Sequence, residues 1–87
     1  MQKTVLITGA SRGIGAETAR RFSAAGYAVA LHYHRSEERA LALAEELRGA
    51  GGEVLTVQAD VGDWSQVRKM VDNVLDKFCQ LDILICN

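Results

Sequence analysis

The chain contains no proline. That favours an unbroken succession of regular elements joined by short links, because proline interrupts helices and central strands. Cysteine is scarce: Cys79 and Cys86 are the only two, and their spacing fits neither a metal-binding pair nor a CxxC redox motif. No second cluster of ligands accompanies them, so no metal site is expected. Net charge is nearly absent as well, since ten basic against eleven acidic side chains leave −1. That balance excludes the broad basic surface of a nucleic-acid or anionic-membrane binder. No apolar run approaches the roughly 20 residues needed to span a bilayer. Met1-Gln2-Lys3 leads directly into a strand-like run without a cleavage-type flank, so no signal peptide is expected. Without a secretory signature, the expected setting is the cytoplasm, with both thiols reduced.

What is present belongs to a soluble globular protein: 48% of residues are hydrophobic and 24% charged. The 87 residues make at most one small domain, and a chain of this size buries a modest share of its surface. Three glycines crowd one stretch, Thr8-Gly9-Ala10-Ser11-Arg12-Gly13-Ile14-Gly15. It follows the β-branched run Thr4-Val5-Leu6-Ile7 and opens onto an amphipathic segment from about Ile14 to Ala25. A strand, a glycine turn and a helix start in that order suit an anion, because the helix end offers unpaired N–H groups and a positive dipole end. The bland alternative is a tight turn with no ligand.

The same alternation continues. The first helix is expected to bury Ile14, Thr18, Ala19, Phe22 and Ala25, with Gly26 as its stop. Tyr27–Tyr33 reads as a buried strand, and Ser36 as the N-cap of a second helix reaching about Arg48, with Ala40, Leu41, Ala44 and Leu47 on one face. Gly49, Gly51 and Gly52 end it, and Glu53–Gln58 is a third strand. Asp63 followed by Gln66 resembles a capping box, with Trp64 expected to pack at the helix start. Val67, Met70, Val71, Val74, Leu75 and Phe78 then form one apolar stripe, and Leu81–Cys86 reads as a fourth strand.

Four strands with short helical crossovers imply an α/β fold, the N-terminal part of a Rossmann-type doubly wound parallel sheet with strand order 3-2-1-4. The first two helices then cover one face and the third the other. The fourth strand is left as an apolar edge, and such edges are normally paired or covered. Residues 1–87 therefore read as a nucleotide-binding half-domain of a longer enzyme, or as a chain that another chain completes.

The glycine stretch Thr8–Gly15, the pair Asp60-Val61 after the third strand, and Leu81–Asn87 leading towards an Asn-Asn-Ala-Gly motif resemble the short-chain dehydrogenase/reductase family. Within it the chain is similar to bacterial carrier-protein ketoacyl reductases and their relatives. The resemblance covers the whole chain but only the family's cofactor half. It implies a nicotinamide dinucleotide cofactor, a small carbonyl or alcohol substrate and homo-oligomeric assembly for the complete enzyme. The family's catalytic Ser, Tyr-x-x-x-Lys pair and helper Asn have no counterparts here, and no tyrosine follows Tyr33. The 87 residues alone are expected to be inactive, and the rival reading is a non-catalytic nucleotide-binding module. Cys86 departs from the family pattern, standing where the first Asn is usual.

Under this resemblance the cofactor-binding residues are Gly9, Ser11, Arg12, Gly13, Ile14 and Gly15 at the turn, His34 beside the ribose, Arg35, Asp60 and Val61 at the adenine, and Asn87. Asp60 also fits a simple turn cap. The position that carries an acid in NAD-specific members is Tyr33, and Arg12 and Arg35 together suit a phosphate by arginine's fork geometry, which points to NADP ahead of NAD. The alternative for Arg35 is a solvated charge, paired with Glu38. His32 and His34 lack a third ligand nearby and are not read as a metal pair.

Overall fold

Each short β-branched run is followed by a segment of helical spacing, and the chain folds accordingly. The computed structural model describes residues 2–87. Its elements are β1 (Thr4–Ile7), α1 (Gly13–Ala24), β2 (Ala28–Tyr33), α2 (Glu37–Gly49), β3 (Val54–Gln58), α3 (Trp64–Phe78) and β4 (Ile83–Ile85). The strands form one parallel sheet in the order β3-β2-β1-β4, as the alternation predicts. β1 is interior to the sheet, paired with β2 from Thr4↔Ala28 to Ile7↔Leu31 and with β4 from Val5↔Ile83 to Ile7↔Ile85.

Side chains alternate across the sheet and divide the core in two. Val5, Ile7, Val29 and Leu31 pack against Ala16 and Ala19 of α1 and Leu43, Ala44 and Leu47 of α2. Leu6 and Ala30 face the other way, against Met70 and Val74 of α3. All four residues of β1 and all six of β2 are buried, because strands with neighbours on both edges and helices on both faces keep no solvent side.

Several expected faces shift. On α1 the buried residues are Gly15, Ala16 and Ala19, while Ile14 is 78% exposed. The first turn of α1 overhangs the end of the sheet, so helical spacing alone misplaces Ile14. On α2 the packed positions are Ala40, Leu43, Ala44 and Leu47, and Leu41 points outward. Along α3, Met70 and Val74 are buried and Val67, Val71 and Phe78 pack beside them, but Leu75 lies at the exposed margin of the stripe. Trp64 does not pack; it is 76% exposed.

The caps also differ from expectation. Ser36 occupies the N-cap position of α2 without a side-chain cap bond. At α3, the Asp63 carboxylate accepts from the Ser65 and Gln66 N–H groups, but Gln66 turns its amide oxygen to the Asp60 N–H at 2.9 Å and not to the Asp63 backbone. β4 is three residues long because Asp82 meets Thr4 before the ladder begins: its N–H donates to the Thr4 carbonyl at 3.0 Å and its carboxylate accepts the Thr4 N–H at 2.8 Å. Among the described residues β4 pairs only with β1, leaving Leu84 56% exposed on the α3 side, whereas Ile83 and Ile85 are half-buried against the α1 side.

α3 ends on Cys79, a non-glycine residue in the left-handed region at φ +66°. That conformation costs an L-residue about 1–2 kcal/mol. Glycine removes the strain but gains freedom in the unfolded chain. Cys79→Gly is therefore expected to raise the unfolding free energy by about 0.5–1 kcal/mol in a urea titration.

Candidate functional site

Parallel strands end together, and the loops after their C-terminal ends share one end of the sheet. The chain runs outward from β1 to β2 and β3, then returns to place β4 on the opposite side of β1. The crevice at such a reversal is the usual ligand position of an open α/β sheet. It lies at the glycine turn.

Gly9 and Gly13 both adopt left-handed backbone, at φ +60° and +61°. Gly15 is required for a different reason: a Cβ there would fall against the Gly9 carbonyl oxygen and within 2.5 Å of Asn87 Nδ2. The turn is thus folded onto itself and onto the segment after β4. Asn87 Nδ2 donates to the Gly9 carbonyl at 3.1 Å, and the Asn87 N–H donates to Thr8 Oγ1 at 2.9 Å. Thr8 in turn donates its N–H to the Ile85 carbonyl at 2.9 Å.

α1 then starts without a cap. Arg12 occupies the cap position in extended conformation, no side chain caps the helix, and no acid lies in its first turn. Among the described residues, the first N–H groups of α1 keep their positive dipole end unanswered, in contrast to α3 with Asp63. Ser11 is half-buried at this opening, and Arg12, Gly13 and Ile14 are exposed around it.

The ends of β2 and β3 carry the remaining positions. His34 and Asp60 line one groove of about 470 Å³ together with Gln58 and Lys69. Gln58 Nε2 donates to the His34 carbonyl at 3.1 Å. Asp60 makes an Asx turn, its Oδ1 accepting the Gly62 N–H at 2.9 Å. Its other oxygen has no partner among the described residues. Val61 is 58% exposed beside it. Arg35 lies in a neighbouring groove of about 410 Å³ with Glu37, Glu38 and Arg39. Among the described residues neither Arg12 nor Arg35 takes part in an ion pair, so the Arg35–Glu38 pair does not form.

Three residues escaped the sequence reading. Thr8 ties β1 to the end of β4 through its hydroxyl. His32 is buried with both ring nitrogens bonded, to the Gly9 N–H at 3.0 Å and to the Ala59 carbonyl at 2.8 Å. Glu37 accepts the Tyr33 hydroxyl at 3.0 Å, so a carboxylate from α2 reaches the strand end where the sequence carries none. The only signal for it was its position four residues after Tyr33. Burial, then the Glu37 carboxylate, pushes the Tyr33 phenol above its ordinary value.

A family model described as short chain dehydrogenase matches residues 3–87. The chain is 41% identical over 87 residues to a 3-oxoacyl-(acyl-carrier-protein) reductase, FabG, of Staphylococcus aureus, covering 100% of this chain and 35% of that protein. It is 41% identical over 85 residues to a probable tetrahydroxynaphthalene reductase of Zymoseptoria tritici, covering 98% of this chain and 32% of that one. Among solved structures, a dehydrogenase/reductase from Sinorhizobium meliloti superposes with a TM-score of 0.95 at 39% identity, over 98% of this chain and 34% of that chain. A short chain dehydrogenase from Burkholderia cenocepacia in complex with NADP superposes at 0.90 with 45% identity, over 94% and 34%. The chain spans about a third of the length of these relatives.

Two consequences are measurable. A raised phenol value means that the folded state prefers the protonated Tyr33. Its contribution is complete below the ordinary tyrosine value of about 10 and is lost as pH rises through the higher folded value. Thermal unfolding followed from pH 8 to 11 should therefore show an alkaline loss that is smaller in Tyr33→Phe. Gly15→Ala gains about 1 kcal/mol of helix propensity, yet overpacking against Gly9 and Asn87 costs about 1–3 kcal/mol. Denaturant titration is expected to show net destabilisation.

Proposed function

Since this chain belongs to the short-chain dehydrogenase family, we propose that it forms the dinucleotide-binding portion of an NADP-linked oxidoreductase acting on a small carbonyl or alcohol substrate. The observation that carries this reading is the uncapped N-terminus of α1 behind a turn that needs glycine at three positions. Backbone N–H groups with no internal partner suit the pyrophosphate of a dinucleotide, and a site where a Cβ cannot be placed suits close backbone approach. Gly13, Ile14 and Gly15 hold the phosphates through the backbone, Gly9 sets the left-handed bend that brings them there, and Ser11 and Arg12 donate from the rim. His34 lies beside the ribose. The unpartnered Asp60 oxygen accepts from the adenine amino group, Val61 lends its exposed apolar face to the ring, and Asn87 keeps the turn closed. When bound, the cofactor supplies the hydride; this segment binds and orients it.

NADP is preferred over NAD in this reading. Tyr33 stands where an acid would hold the ribose 2′-hydroxyl, and the unpaired Arg12 and Arg35 guanidinium groups suit a 2′-phosphate. The Burkholderia relative in complex with NADP is in keeping with this preference. Glu37 works against it, and its bond to the Tyr33 hydroxyl restrains that carboxylate.

The acid–base residues of the reaction belong to sequence outside residues 1–87, in a cytoplasmic homo-oligomeric enzyme. Two facts support that division. The chain covers about a third of its relatives, and the outer edge of β4 exposes Leu84 where a further strand and helix would cover it.

Calorimetric titration of the protein is expected to give tighter binding of NADP than of NAD. The substitution Arg35→Ala should weaken NADP by about tenfold, with little effect on NAD. Equal affinities in the unaltered protein would defeat the NADP assignment. Residues 1–87 alone should show no carbonyl reduction, and turnover by that segment would overturn the division of labour.

A further inference from the structure

We infer that His32 is a positioning residue for the dinucleotide turn, its Nδ1 setting the glycine turn through the Gly9 N–H. The inference rests on the reading of that turn as a dinucleotide site. His32 belongs to β2 and is only 4% exposed. The Gly9 N–H points at its Nδ1 from 3.0 Å. A peptide N–H only donates, so Nδ1 presents a lone pair and the ring proton resides on Nε2. Nε2 then donates to the Ala59 carbonyl at 2.8 Å. One neutral tautomer satisfies both bonds.

The backbone of His32 adds a third tie, its carbonyl accepting the Ala10 N–H at 3.0 Å. Two successive N–H groups of the turn, those of Gly9 and Ala10, are therefore consumed by one residue of β2. On the other side of the same glycine, Asn87 Nδ2 donates to the Gly9 carbonyl at 3.1 Å. With its N–H and its carbonyl both held, Gly9 keeps the left-handed φ of +60° that aims the following residues towards the start of α1. Ala59 immediately precedes Asp60, so the ring also spans from the phosphate end of the site to its adenine end. A side chain that only filled space would leave the buried Ala59 carbonyl without this partner, which is costly, and would free the part-buried Gly9 N–H that fixes the turn.

Three substitutions separate the two bonds. His32→Asn places an oxygen near the position of Nδ1 and keeps an acceptor for Gly9. His32→Gln places its amide near Nε2, keeping the link to Ala59 but not the acceptor at Gly9. His32→Leu retains neither. In the unaltered protein, ring ¹⁵N NMR is expected to show the Nε2–H tautomer with Nδ1 unprotonated; the opposite tautomer, or an averaged mixture, overturns the assignment. NADP affinity is then measured on variants shown by circular dichroism to be folded. His32→Asn should bind within about threefold of the unaltered protein, and His32→Gln and His32→Leu about tenfold more weakly. Thermal midpoints should fall in all three, so stability alone does not produce that ordering. If Leu fails to fold, Asn against Gln decides. Equal NADP binding by Gln and by the unaltered protein, or Asn as weak as Gln, overturns the positioning role alone. An unaltered protein that binds neither NADP nor NAD overturns the functional reading and the positioning role together.

Discussion

The Gly9 peptide is the point through which the ends of all four strands are joined. It follows β1; its N–H is held by His32 of β2, and its carbonyl by Asn87 beyond β4. Through the same imidazole it reaches Ala59 beyond β3. The carbonyl of Gly9 also lies where a side chain on residue 15 would have to go, so the first turn of α1 is seated by contact with that one peptide. Left-handed backbone at Gly9 is the condition for all of this. A residue with a Cβ would resist that conformation and carry the strain into the turn.

The rest of the molecule supports that point from below. β1 is buried on both faces and paired on both edges, and Leu6 and Ile7 are fully enclosed. Burial of such a side chain contributes roughly 1.5–3 kcal/mol. The ion pair between Arg20 of α1 and Glu46 of α2, at 2.7 Å, joins side chains that are about half exposed and is worth at most about 1 kcal/mol. Packing on the sheet therefore dominates the placement of these helices. The small residues Gly15, Ala16 and Ala19 let α1 approach the sheet closely, which brings its N-terminus to the crevice.

Of the three helix starts at this end of the sheet, those of α1 and α3 have opposite electrostatics. α3 is closed by Asp63, whose carboxyl is held below its ordinary value first by the Ser65 hydroxyl and then by the Gln66 N–H. α1 is left open, with no cap and no acid in its first turn. An acid at the start of α1 would satisfy those N–H groups internally and compete with any anion. Between these two ends, Tyr33 engages Glu37, so the charge at the end of β2 comes from the following helix and not from the strand itself.

Local periodicity carried most of the fold. The alternation of β-branched runs with helical stripes is written in neighbouring residues, and right-handed crossovers turn it into the order 3-2-1-4. The glycine turn was legible for the same reason, since backbone demands at Gly9, Gly13 and Gly15 restrict residue type at each position. Helical spacing groups residues on a face but does not say where a helix overhangs the sheet. Ile14 and Trp64 were therefore misjudged, both lying near helix starts beyond the strand ends. Leu41 and Leu43 are separated only by the direction in which α2 meets the sheet. His32 is one residue in a buried run, and nothing local distinguishes its ring from packing. Its bonds run to residues 23 and 27 positions away. By itself the sequence determined which segments become strands and helices and where the turn must be glycine, because those are local backbone and burial constraints. Only the tertiary structure decided which side chains close the turn, because those hydrogen bonds join strand ends that are distant in the chain and adjacent only after the crossovers are made.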